Sequence, residues 1–215
     1  ANGAIVITTK KGKEGRLSLT VSQNTEFLRP FVTPNFQNSY GTGDLLSSAG
    51  SVEKSWGNKL NPSNYMGYDP INDFLRTGVV ATETVSLSTG TEKNQTYFSA
   101  SAVNSVGMVP NNDYDRYNFT FRNTTSFLND KMTLDVSASY IKQKDQNMVN
   151  QGTYSNPLVT AYLFPRGDDW NEIKMYERWD TSRNIYTQYW PQGIDTFTGQ
   201  NPYWIAYRNL RENNK

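Results

Sequence analysis

Four stretches of two-residue alternation, separated by turn chemistry, limit what this chain can fold into more than any other feature of it. In the clearest, Met132, Leu134, Val136, Ala138 and Tyr140 fall on one side and Thr133, Asp135, Ser137 and Ser139 on the other. The stretch before it sets Tyr117, Phe119 and Phe121 against Asn118, Thr120 and Arg122, and Leu128-Asn129-Asp130-Lys131 joins the two. A period of two means strands with one apolar and one wet face, and the short polar link predicts a hairpin. Antiparallel sandwiches and transmembrane β-barrels share this pattern. The choice between them turns on whether the apolar face meets protein or lipid.

Composition narrows the function classes. The chain has 215 residues, no Cys and no His, so it carries no disulfide framework, thiolate site or Ser-His triad, and no imidazole to act as general base near neutral pH. An enzyme is not expected, nor is a cofactor or metal site. With a net charge of +1 there is no field for nucleic acid, which needs clustered Lys and Arg. The one basic cluster, Lys10-Lys11-Gly12-Lys13, suits a solvated turn better than a phosphate site. No run approaches the ~20 apolar residues of a spanning helix.

Ala4 to Thr9 is short, apolar and β-branched, as in a strand buried on both faces, and the charged, glycine-containing stretch Gly12 to Gly15 then forms a joint. Beyond it, Leu17, Leu19 and Val21 alternate with Ser18, Thr20 and Ser22. Pro30 to Thr77 reads as a long connection holding a short helix near Asp69 to Leu75, with Pro70 in its first turn. Strands follow at Thr82 to Ser88, Thr96 to Val103, Tyr114 to Phe127 and Met132 to Gln143. Past Lys144 a second long connection carries a helix at Leu158 to Phe164, then an aromatic tail without a closing strand. About five amphipathic strands, with tight turns at one end and long loops at the other, predict an up-and-down series.

Several residues invite a chemical reading beside a plainer one. The acid pairs Asp113 with Asp115 and Asp168 with Asp169 could do acid/base work, but solvated loop acids and Asx turns fit better without a third acid at ligand spacing. Asn94, Asn118 and Asn123 begin glycosylation-type triplets, which chance explains in so Asn- and Thr-rich a chain. Trp170, Trp190, Tyr203 and Trp204 are the candidate substrate-binding residues, able to stack on sugar rings or peptide side chains; packing of loop on loop is the competing role. Tyr97, Tyr114, Tyr117, Phe127 and Tyr140, near strand ends, would form interfacial girdles in a membrane barrel.

The stretch Ala1-Asn2-Gly3-Ala4-Ile5-Val6-Ile7-Thr8-Thr9-Lys10-Lys11-Gly12 resembles the segment that closes the plug domain of SusC/RagA-type TonB-dependent transporters, whose usual form reads ANG-V-I-x-I-TTKKG. Val85 to Lys93 with Tyr97 to Ser101 looks like that family's early barrel hairpin, Arg116-Tyr117 through Arg122-Asn123 like the next strand, and Gln200-Asn201-Pro202-Tyr203-Trp204 with Arg208-Asn209 like a loop element further on. Thr89 departs from the family, which commonly has Gly there. The resemblance implies an internal piece of a multi-pass outer-membrane importer of oligosaccharides or peptides, in a plugged barrel of about 22 strands. It implies a SusD-like surface lipoprotein as partner, and the TonB complex engaging a segment ahead of this one. Residues 1–13 would then be the C-terminal end of the plug and its hinge, and 14–215 the N-terminal part of the barrel with its extracellular loops.

The expected fold is therefore all-β: part of an antiparallel transmembrane β-barrel, preceded by the last plug strand. Leu17, Leu19, Val85, Leu87, Phe119, Phe121, Leu134 and Val136 are expected on its convex, lipid-facing side, and Ala4 to Thr9 is expected not to pair with the strand after Gly15. The rival from another class is a secreted glycan-binding β-sandwich, in which those side chains would meet a second sheet. A hydrolase using Asp168 or Asp169 is the third reading.

Overall fold

A computed structural model of the chain describes residues 10–44, 54–63, 69–149, 151–152, 154–164, 167–190, 199–208 and 212–215. The expected plug strand at 4–9 lies outside the described residues, and with it the expectation about its pairing.

The alternating stretches become five long strands: β1 (Gly15–Leu28), β4 (Gly78–Gly90), β5 (Asn94–Val106), β6 (Asp113–Phe127) and β7 (Met132–Gln146). Between β1 and β4 lie a two-residue parallel pair, β2 (Gly43–Asp44) with β3 (Ser55–Trp56), and the helix α1 (Pro70–Phe74). After β7 come α2 (Pro157–Leu163), α3 (Trp170–Lys174), the hairpin β8 (Glu177–Asp180) with β9 (Ile185–Gln188), α4 (Pro202–Tyr207) and β10 (Glu212–Asn214). The long strands and β10 form one six-stranded antiparallel sheet in the order β1-β4-β5-β6-β7-β10. It is open, with β1 and β10 at its edges. The tail was expected to hold no closing strand; β10 corrects this, pairing Glu212 with Gln146 and Asn214 with Lys144. Three polar residues carry no visible period, so only the ladder reveals them.

Register turns the sequence alternation into two faces. Leu19, Leu87, Phe98, Phe121 and Ala138 are successive cross-strand partners, as are Val21, Val85, Ala100, Phe119 and Tyr140. Residues opposite one another point to the same side of a sheet, so these rows form one apolar patch across five strands. No second sheet covers it among the described residues, and Leu19 stays 62%, Val21 67% and Val136 47% exposed. Among the described residues the sheet has no second layer of the kind that defines a sandwich. On the other face, Thr20, Ser86, Ser99, Thr120 and Ser139 form a row of hydroxyls from strand to strand.

The register also sorts the strand-end aromatics. Tyr117, Phe127 and Tyr140 share the apolar face, but Tyr97 pairs with Arg122 and Tyr114 with Asp145 on the polar one. Only the first three can belong to a girdle on the apolar side.

All long connections leave the same end of the sheet. The β1–β4, β5–β6 and β7–β10 links lie there, while the β4–β5 and β6–β7 turns close the other end. At the latter turn Asn129 and Asp130 take positive φ of 55° and 64°, a conformation their short polar side chains tolerate. At the loop end the three long connections meet in a common core. Phe74 from α1, Val109 from the β5–β6 link, Ala161 and Phe164 from α2 and its end, Trp170 and Ile173 from α3, and Trp190 pack together. The sheet thus carries a small protein core on one rim rather than on either face.

Candidate functional site

The loop cap is assembled by side-chain capping rather than by long helices. Asn156 accepts the Leu158 amide, Asp169 that of Asn171 and Asn201 that of Tyr203, each starting a helix of seven residues or fewer. Such caps satisfy amides that the first turn leaves without partners. Asn201 is fully buried and does more: its amide donates to the Ile173 and Tyr189 carbonyls, each at 2.9 Å, tying α4 to α3 and to the end of β9. Asn111 and Asn147 both donate to the Ala206 carbonyl, at 2.7 and 3.2 Å, and so fasten the cap to the sheet rim.

The four aromatics singled out as substrate-binding candidates sit in or beside this cap. Trp170 is buried edge-on to Phe74 and Phe164, and its indole N–H donates to the Tyr203 hydroxyl at 3.2 Å. Trp190 is buried edge-on to Phe164. Tyr203 packs against Phe74 and lies parallel to Tyr207; burial pushes its phenol above the ordinary value, against the pull of the Trp170 bond. Trp204 is half-buried on α4. Trp170 and Trp190 thus serve loop-on-loop packing, the competing role in the sequence reading. Open ring surface belongs instead to Trp179 and Tyr186, cross-strand partners on the β8–β9 hairpin, 48% and 50% exposed and 5.0 Å apart edge to face. Alternation over Glu177 to Asp180 and Ile185 to Gln188 around a four-residue polar turn was the signal for that hairpin, diluted by its shortness.

The acid pairs take structural duties. Asp168 accepts the Thr42 hydroxyl at 2.7 Å, Asp169 caps α3, Asp115 accepts the Asn104 amide at 2.7 Å and Asp113 lies 3.5 Å from Arg76. No group of three His, Cys, Asp or Glu gathers among the described residues. Asn94 and Asn123 bond to each other and to Thr125, which fits side chains serving the ladder.

The second candidate surface is the polar face of the sheet. Arg122 meets Asp135 with two bonds, at 2.9 and 2.5 Å, Thr124 adds a third at 3.3 Å, and Lys11 approaches the same carboxylate at 3.8 Å. Around this ion cluster the face is mostly Ser, Thr and Asn. An array of small hydroxyls and fixed charges can hydrogen-bond a polar solute in passing.

Comparison with protein-family models finds no match, and comparison with curated proteins finds none.

Proposed function

We propose that the chain forms the first strands of the wall of a TonB-dependent outer-membrane nutrient importer of the SusC/RagA type. The observation that carries this is the uncovered apolar face of an up-and-down antiparallel sheet whose long connections all leave one rim. In a bilayer such a face needs no protein partner, and a sheet that closes on itself leaves no backbone group unpaired. The strands have 13 to 15 residues, more than the ~9–11 that a tilted strand needs to cross. Toward the loops the apolar face is crossed by the row Gln23, Glu83, Ala102, Tyr117 and Lys142, a charged and aromatic band of the kind that marks a membrane surface, with Phe27, Val79 and Val106 beyond it on the same face. On this reading the hydroxyl face lines the lumen, the cap is extracellular, and the function is transport without covalent chemistry. The family resemblance supplies the rest: an oligosaccharide or peptide substrate, a SusD-like lipoprotein over the cap and TonB as energy source.

The absence of native Cys in the chain makes a spin-label scan direct. Single Cys variants at Phe119, Leu134 and Val136, and at Thr120, Ser137 and Ser139, are labelled in the membrane-embedded protein and tested against oxygen, which partitions into lipid, and a water-soluble nickel chelate. The first three should respond to oxygen and the second three to the chelate. If the first three are shielded from both reagents, they lie in a protein core and the sandwich returns; if the chelate reaches them, the face meets water and the importer reading fails.

A further inference from the structure

We infer that the tight-turn end of the polar face holds a binding site for an oxyanion, a phosphate or sulfate ester group. The lysines of the basic run Lys10-Lys11-Gly12-Lys13 are exposed, as expected of a solvated segment, but its backbone lies across the strands. The Lys13 amide donates to the Ser88 hydroxyl at 3.0 Å, and Lys11 reaches Asp135 on β7. Gly12 is buried against β5 so closely that a Cβ there would stand 2.6 Å from the Thr96 nitrogen and 2.8 Å from the Gln95 carbonyl carbon. Only glycine allows that approach, so the segment is seated on the sheet rather than draped over it.

Beside the seated segment the surface forms a half-open hollow of about 460 Å³, within the size range of small-molecule sites. Its walls bring Lys10, Lys13 and Arg16 together with the hydroxyls of Ser18, Thr20 and Ser86. Tyr97, Ser88 and Lys11 complete the donor-rich lining, and Glu14 is its one carboxylate. Lys11 is occupied by Asp135, but Lys10, Lys13 and Arg16 make no ion pair among the described residues. Three free cations and a bank of hydroxyl donors around one hollow favour a ligand rich in acceptor oxygens and negative charge; guanidinium and ammonium groups match a tetrahedral oxyanion directly. A neutral solute would leave the cations without their counter-charge. The site stands on the polar face alone and holds whether or not the opposite face meets lipid.

Calorimetric titration of the protein in detergent at low salt, with glucose 6-phosphate, glucose 6-sulfate, glucose and inorganic phosphate, tests it. Either ester should bind at least about tenfold tighter than glucose, and the preference should shrink as salt rises through the screening range. Inorganic phosphate binding as tightly as the sugar ester assigns the site to the bare oxyanion; weaker binding assigns it to an esterified saccharide. Arg16→Gln should weaken ester binding about tenfold, the scale of one charged hydrogen bond, with Arg16→Lys recovering part of the loss. Lys93→Gln, in the β4–β5 turn outside the hollow, should change nothing. No detectable ester binding, equal binding of glucose, or equal losses in Arg16→Gln and Lys93→Gln would each overturn the site.

Discussion

In the loop cap, Trp170 is 3% exposed and meets Phe74, Phe164 and Tyr203 with ring centroids 5.1 to 6.1 Å apart. On the sheet, Phe119 is 44% exposed, and its ring partner is Tyr140 beside it on the next strand, 6.4 Å away. The two regions use the same kinds of side chain to opposite ends. In the cap, three connections fold over one another so that edge-to-face rings exclude water, and the Trp170 N–H finds the Tyr203 hydroxyl. On the sheet, the ladder alone fixes the geometry, and the apolar rows remain a surface. Each large side chain left about half exposed in this way forgoes roughly half of the ~1.5–3 kcal/mol that full burial in water would give. A surface so extensive is one that soluble monomers seldom carry and that a lipid belt suits. The cap therefore has a packed protein core, whereas none of the described residues covers the apolar rows of the sheet.

The strongest way to break that contrast is Trp170→Ala. Removing a buried indole from a packed cluster costs about 3–5 kcal/mol, and this one also carries the bond to Tyr203. Hydrogen exchange should show amides of α2, α3 and α4 losing protection while those of β4 to β7 keep theirs. If the strands lose protection together with the helices, cap and sheet are a single cooperative unit and the division is wrong.

A pair of substitutions sharpens the other side. Val136→Arg places a charge on the apolar face and should cost about 2–4 kcal/mol at the depth of a bilayer midplane. Ser139→Arg adds the same group on the hydroxyl face, opposite Thr120, and should be tolerated. Urea titration of the protein refolded in lipid vesicles measures both. Equal costs would mean that the faces do not differ in surroundings, and no cost at Val136 would place that residue in water.

The sheet was legible because a two-residue period records directly which side of a strand meets apolar surroundings, and because Gly90 to Asn94 and Leu128 to Lys131 have the chemistry of tight links. The α1 and α2 helices were legible through a proline at the first turn. The helices α3 and α4 and the β8–β9 hairpin were not, since four to six residues are too few to display a period. Asp169, Asn201 and contacts from distant loops hold them. For the same reason the candidate aromatics could not be sorted in advance: a Trp in a polar loop looks alike whether its neighbours later close over it, as at Trp170, or leave it open, as at Trp179. The seat of the basic run was not legible, because its place on the sheet depends on Gly12 fitting against Thr96, a contact 84 residues away in the sequence.

Acidification is the gentlest probe of the cap. Glu177 on β8 accepts bonds from Nε and Nη2 of Arg208, the latter at 2.8 Å, and Arg208 also lies over the Tyr186 ring at 5.1 Å. Those bonds hold the Glu177 carboxyl below its ordinary value, outweighing the opposite effect of burial. A carboxylate whose pKa is lowered on folding binds its proton less tightly in the native state than in the unfolded one. Its contribution is therefore complete above the unfolded value and is lost as pH falls through the lowered folded value. Asp180, bonded by Ser182, is shifted in the same direction and adds to the slope. Fluorescence-monitored unfolding of the cap should shift to lower denaturant on going from neutral to acid pH, by less in Glu177→Gln and least in Glu177→Gln with Asp180→Asn. An unchanged slope in the double variant would show that other carboxylates govern the acid response and that the β8–α4 tie contributes nothing to the cap's stability.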